Sequence, residues 1–216
     1  MMKNFLGIVV LGFLLCGNVY AAETKKTIED KYKSKLPDCD NGIIAELGNS
    51  KKWTSTFPEA FGDEYEVIMP PMPNKQNAKY EEWKIWFERH FEFLTDGAIL
   101  IGCSLGAMFL ARYFSEGNTP FTPKAIILMA GAYGLPGFSD ADCKEFLVTP
   151  EKVTPILGAT ERVVIMHSKD DPVVPYEHAL ALSRALPEAE LITFADKNHF
   201  LVEELPELVQ LIKKMA

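Results

Sequence analysis

The chain has 216 residues, 48% hydrophobic and 24% charged, with 14 Gly, 14 Pro and four Cys. That composition excludes a disordered, collagen-like or disulfide-built protein and leaves one globular domain as the default. Acidic residues outnumber basic ones 30 to 22, a formal charge of −8, and the longest basic runs are the pairs Lys25-Lys26, Lys51-Lys52 and Lys213-Lys214, so nucleic acid is excluded as the expected partner.

The N-terminus reads Met1-Met2-Lys3 and then an almost uninterrupted apolar stretch over residues 5–16, with Val19 and Ala21 at the −3 and −1 positions of a peptidase site. The stretch is too short for a permanent membrane helix, so residues 1–21 read as a cleavable signal peptide. Export to the periplasm or the exterior is the expectation, with no stable membrane span after cleavage. In an oxidising compartment the remaining cysteines are Cys39, Cys103 and Cys143. Their odd number leaves a thiol unpaired within the chain. Cys103, at the end of an apolar run, reads as buried, and Cys39 with Cys143 is the candidate bridge.

Residues 22–41 are Lys-rich and lack apolar periodicity, the pattern of a mobile lead into a domain over residues 42–216. Within that domain, residues 42–47 and 65–69 are short apolar runs closed by turn residues, and both predict buried strands. From residue 79 to 94 the positions Tyr80, Trp83, Trp86, Phe87, His90, Phe91 and Leu94 recur at three and four residues, which predicts an amphipathic helix whose aromatic stripe, His90 included, is core. Further strands are expected at residues 98–101, 125–130, 163–166 and 191–194. Helices are expected after Ser104 as far as residue 115, briefly at 150–157, and over 177–186 and 206–215. Short apolar strands alternating with helices predict a single-domain α/β fold: a mostly parallel sheet of about six strands, helices on both faces and a minimal cap.

In such a sheet the ligand sits beyond the carboxyl ends of the strands, and three residue groups fall there. Ser104 lies in Gly102-Cys103-Ser104-Leu105-Gly106, the Gly-x-Ser-x-Gly spacing that presents a serine on a strand-to-helix turn. Asp170 and Asp171 follow the fifth expected strand, and His199 follows the sixth. A serine hydroxyl needs a base oriented by a carboxylate. Of the four histidines, His90 is on a helix face and His178 lies early in a helix after Pro175; only His199 falls after the last expected strand, downstream of both the serine and the acid, with His167 as the reserve. Asp171, beside Pro172, is the expected acid, and Asp170 reads as a solvated turn or cap.

The chain order Ser104, Asp171, His199 resembles that of the α/β-hydrolases. With Asp-Asp-Pro-Val-Val-Pro over residues 170–175 and Asn198-His199-Phe200, it is similar to the small, nearly lidless serine hydrolases related to the retinoblastoma-binding serine hydrolase. The resemblance implies Ser104 as nucleophile, Asp171 as orienting acid and His199 as general base. The chain departs from that pattern at Cys103, Ala107 and Asn198, and in the loop Leu47-Gly48-Asn49-Ser50. The oxyanion hole is expected from the Leu105 and Asn49 amides.

The expected activity is cleavage of small-molecule esters through an acyl-serine intermediate, with thioesters and amides as further options. No metal or organic cofactor is implied, because no His-Glu-x-x-His, paired-Cys or nucleotide-type glycine pattern occurs. Two alternatives stand beside this reading: a non-catalytic binding protein of the same fold with a degenerate oxyanion loop, and a thiol enzyme using Cys103.

Overall fold

Strands form where the sequence is short, apolar and closed by turn residues. The computed structural model describes residues 6–11, 53–62, 65–74, 77–117, 119–135 and 143–215. The described strands are β1 (Leu6–Leu11), β2 (Tyr65–Ile68), β3 (Ile99–Cys103), β4 (Ala125–Met129), β5 (Val163–Ser168) and β6 (Glu190–Phe194). They form one sheet in the order β2-β1-β3-β4-β5-β6. Every adjacent pair is parallel.

The described helices are α1 (Trp53–Thr56), α2 (Tyr80–Glu88), α3 (Leu105–Glu116), α4 (Glu177–Ala185) and α5 (Pro206–Met215). None of them is long and apolar enough to cross a membrane. Between β4 and β5 the chain runs through 3-10 turns at Lys144–Phe146 and Pro150–Gly158. An α-helix was the expectation for the second stretch. Pro155 within it supplies no N–H, and the tighter winding results.

Side chains alternate across the central strands, as the period of two requires. Leu100, Ile126, Leu128, Val163 and Ile165 join the aromatic core under α2 and α3. Ile99, Ile101, Cys103, Ile127, Met129, Val164 and Met166 face the opposite layer, with Trp53, Leu208 and Ile212. The aromatic stripe of α2 is core: Trp83 meets Phe146 and Phe109 at ring-centroid distances of 5.1 and 5.8 Å. That helix stops at Glu88, earlier than the periodicity predicts, and a 3-10 turn at Phe91–Phe93 follows. His90 is half-buried rather than core. Its Nδ1–H donates to the Trp86 carbonyl at 2.8 Å, satisfying one of the acceptors that a helix end leaves over.

One strand lies in the segment that the sequence reading assigns to a leader. Leu6–Leu11, assigned from sequence to the apolar part of a signal peptide, is here a strand between β2 and β3. Its register pairs Leu6–Val9 with Tyr65–Ile68 and Ile8–Leu11 with residues 99–102. A short apolar, β-branched run suits a doubly covered parallel strand as well as a leader peptide, so composition alone does not separate the two. The strand expected at residues 42–47 and the mobile lead at 22–41 lie outside the described residues.

Candidate active site

β3 ends in Cys103, α3 begins at Leu105, and a single residue, Ser104, makes the corner. Its backbone sits at φ 54°, ψ −118°, a region that side-chain-bearing residues rarely occupy and that persists only where surrounding bonds enforce it. The Ser104 N–H donates to the Met129 carbonyl of β4 at 2.8 Å, and the Ser104 carbonyl accepts from the Ala107 and Met108 amides. Gly102 makes the corner sterically possible. A Cβ there would lie 2.4 Å from the Gly106 carbonyl oxygen. These contacts leave the serine partly exposed while Cys103 is fully buried.

Beyond β5 the chain turns through Asp170 and Asp171. Asp171 Oδ1 accepts the Val173 and Val174 amides at 2.8 and 2.9 Å, which fixes the carboxylate before any side chain meets it. Its other oxygen, Oδ2, accepts His199 Nδ1–H at 2.7 Å. His199 Nε2 in turn accepts the Ser104 hydroxyl at 3.0 Å. His199 and the Asp171 carboxylate are fully buried. The three residues singled out from sequence therefore form one hydrogen-bonded chain at the carboxyl ends of β3, β5 and β6.

The reserve histidine stands behind the acid. His167, on β5, donates from Nε2 to the Val174 carbonyl at 2.9 Å and lies 3.5 Å from Asp171 Oδ2. Burial holds its imidazole below the ordinary range, so it packs as a neutral ring. His178 is also buried, and its Nδ1 accepts the Tyr133 amide at 3.0 Å. Burial pushes the Cys103 thiol well up, and the Asp171 charge pushes it further. That disfavours the thiolate a cysteine nucleophile requires.

Of the two expected oxyanion donors, Leu105 is the first residue of α3, where an N–H has no intrahelical acceptor. Asn49 and its loop lie outside the described residues, as does Cys39. Sequence reasoning missed the role of Asp170, which ties the two loops together. Its carboxylate accepts the Ser168 hydroxyl and the Asn198 amide. The adjacent pair Asp170-Asp171 was the available signal, but nothing in the sequence shows which backbone groups lie opposite.

A family profile described as Serine hydrolase matches residues 43–210. Serine hydrolase RBBP9 of Rattus norvegicus is 24% identical over 151 residues, covering 70% of this chain and 78% of that protein. Among solved structures, the ydeN gene product from B. subtilis superposes with a TM-score of 0.68 at 17% identity, over 98% of both chains. A meta-cleavage product hydrolase from Pseudomonas fluorescens does so with a TM-score of 0.63 at 15% identity, covering 99% of this chain and 90% of that one. At these identities the two structures speak for the α/β-hydrolase fold.

Proposed function

The chain belongs to the serine hydrolase family, and on that premise we propose that it is an exported, carboxylesterase-like enzyme acting on small esters with Ser104, His199 and Asp171 as its triad. The observation that carries the proposal is the hydrogen-bonded chain from Ser104 through His199 to Asp171. The Ser104 oxygen attacks the ester carbonyl while His199 Nε2 takes the hydroxyl proton. His199 then returns that proton to the departing alcohol, leaving an acyl-serine. Water enters, gives a proton to His199 and releases the acid, and the proton goes back to Ser104. Asp171 holds the imidazole with Nδ1–H directed at its own Oδ2 and stabilises the imidazolium that forms at each proton transfer.

The Leu105 amide serves as one oxyanion donor and Asn49 as the second. Each such donor is worth on the order of 10²–10³ in turnover. Between β4 and β5 the described residues form only 3-10 turns, which supports a small cap and small or flexible acyl groups. Export is supported by the apolar stretch at 5–16 and the Val19-x-Ala21 site, with Ala22 as the mature N-terminus.

The test is labelling with a fluorophosphonate and hydrolysis of short p-nitrophenyl esters. Native protein is expected to label and turn over, and Ser104→Ala to do neither, with kcat reduced on the order of 10⁴-fold or more. Cys103→Ser is expected to retain activity. A native protein silent to both probes would overturn the enzyme reading in favour of a binding protein of the same fold.

A further inference from the structure

His199 sits in a turn that no ladder bond supports. β6 ends at Phe194, and the residues on either side of the histidine, Asn198 and Phe200, have φ of 53° and 55°. The backbone N–H groups of three consecutive residues in this turn are nonetheless all taken, each by a side-chain oxygen. Lys197 N–H donates to Ser168 Oγ at 2.9 Å, Asn198 N–H to Asp170 Oδ1 at 2.9 Å, and His199 N–H to Asn198 Oδ1 at 2.8 Å. Ser168 Oγ–H also donates to that same Asp170 oxygen. The hydroxyl thus accepts from one loop and donates to the other, and one carboxylate oxygen gathers both.

We propose that Asp170, with Ser168, is a positioning residue for the proposed reaction: it clips the turn carrying His199 onto the loop carrying Asp171, and so sets where the imidazole lies relative to Ser104. Asp170 touches none of the reacting atoms. Asp171, its neighbour, receives the imidazole, so the adjacent carboxylates divide the work, one holding the histidine's backbone and the other its ring. The Ser168 hydroxyl, with help from the Asn198 amide, holds the Asp170 carboxyl below its ordinary range, as expected for an anion fixed by donors. Ser168 is fully buried at the end of β5 whereas Asp170 is exposed, so the clip is anchored from the strand side.

This inference rests on the proposed triad, and its test separates the two. Asp170→Ala, Asp170→Asn and Ser168→Ala are compared with the parent in kcat and KM for p-nitrophenyl acetate, and in the downfield proton resonance of His199 Nδ1–H, with circular dichroism as the folding control. Asp170→Ala is expected to lower kcat about tenfold to a hundredfold, the scale of a misplacement of about 1 Å, with KM within about twofold. It is also expected to broaden or remove the Nδ1–H signal. Asp170→Asn keeps an acceptor oxygen and is expected to retain both kcat, within about threefold, and the signal. Adding Ser168→Ala to Asp170→Ala is expected to cost little more than Asp170→Ala alone, as for residues acting as one unit.

The proposal is overturned if Asp170→Ala and Ser168→Ala keep both the parent's kcat and the proton signal. It is overturned equally if Asp170→Asn falls as far as Asp170→Ala, which would assign the effect to charge. Should Asp170→Ala not fold, Ser168→Ala, which removes a single hydroxyl, decides by the same readouts. If the parent hydrolyses no ester, the activity reading falls while the proton signal still decides the clip.

Discussion

Asn198, one of the chain's departures from the pattern it resembles, holds its backbone at φ 53°. The left-handed region is open to glycine without penalty and to asparagine at little cost, whereas a β-branched side chain is strained there. Asn198→Gly is expected to stay within about 1 kcal/mol of the parent in urea unfolding. Asn198→Val is expected to lose about 1–3 kcal/mol.

Burial holds the rings of His167 and His178 below the ordinary imidazole range. Both take up protons more readily in the unfolded chain. Their stabilising contribution is complete above about pH 6.5 and is lost as pH falls below it. The urea midpoint is therefore expected to fall between about pH 7.5 and about pH 5.5, and His167→Gln should flatten that fall. An unchanged slope would show that His167 does not contribute. Asp170 acts lower, since its folded range lies below that of a free carboxylate; it contributes above about pH 4 and loses that contribution as the solution becomes more acidic. Ser104, Asp171 and His199 were readable because each follows an apolar run and strand ends converge in a parallel sheet. Asp170 was not, because its partner amide lies 28 residues downstream in a turn whose path no periodicity encodes.

At the level of elements, the corner between β3 and α3 depends on close backbone approach. Gly102→Ala would set a Cβ 2.4 Å from the Gly106 oxygen and 2.6 Å from the Ala107 nitrogen. Both are backbone atoms with no rotamer to yield, so helix and strand must part. A cost of about 1–3 kcal/mol is expected, together with a loss of phosphonate labelling disproportionate to the loss of stability, because the same displacement moves Ser104. Equal labelling rates in variant and parent would contradict this. Strand positions followed from apolar runs, but their ends did not. β5 continues through His167 and Ser168, where a reading by hydrophobicity stops at Met166. These two polar residues pair with Thr193 and Phe194 of β6 and bond inward, which burial permits once partners exist. The helix ending at Glu88 illustrates the same limit, since a histidine side chain ends what the aromatic period would have continued.

For the whole molecule, the question is which segment fills the sheet between β2 and β3. β1 lies within residues 1–21, the length that the export proposal removes, while the family match begins at residue 43. Without a strand in that place, the inner edges of β2 and β3 would present unpaired N–H and C=O groups, each costing about 1–3 kcal/mol when buried. Between Ala22 and Tyr65 the sequence offers the short, largely apolar run read as a strand at residues 42–47, with Glu46 its single charge. On the export proposal, a chain beginning at Ala22 is therefore expected to fold and to hydrolyse short esters. The same chain lacking residues 42–47 is expected to stay unfolded by circular dichroism. Full folding without that run would overturn this expectation. Both apolar runs were visible in the sequence. Which neighbours either run pairs with was not, because hydrophobicity says that a segment is strand-like without naming its partners.

The seating of Leu6–Leu11 between two strands also bears on timing. A peptide bonded on both edges cannot enter a translocation channel or a peptidase cleft until the sheet opens. On the export proposal, secretion must therefore capture the nascent chain before the sheet closes. On that proposal, a precursor that escapes capture would be held back by the very segment the proposal assigns to its export.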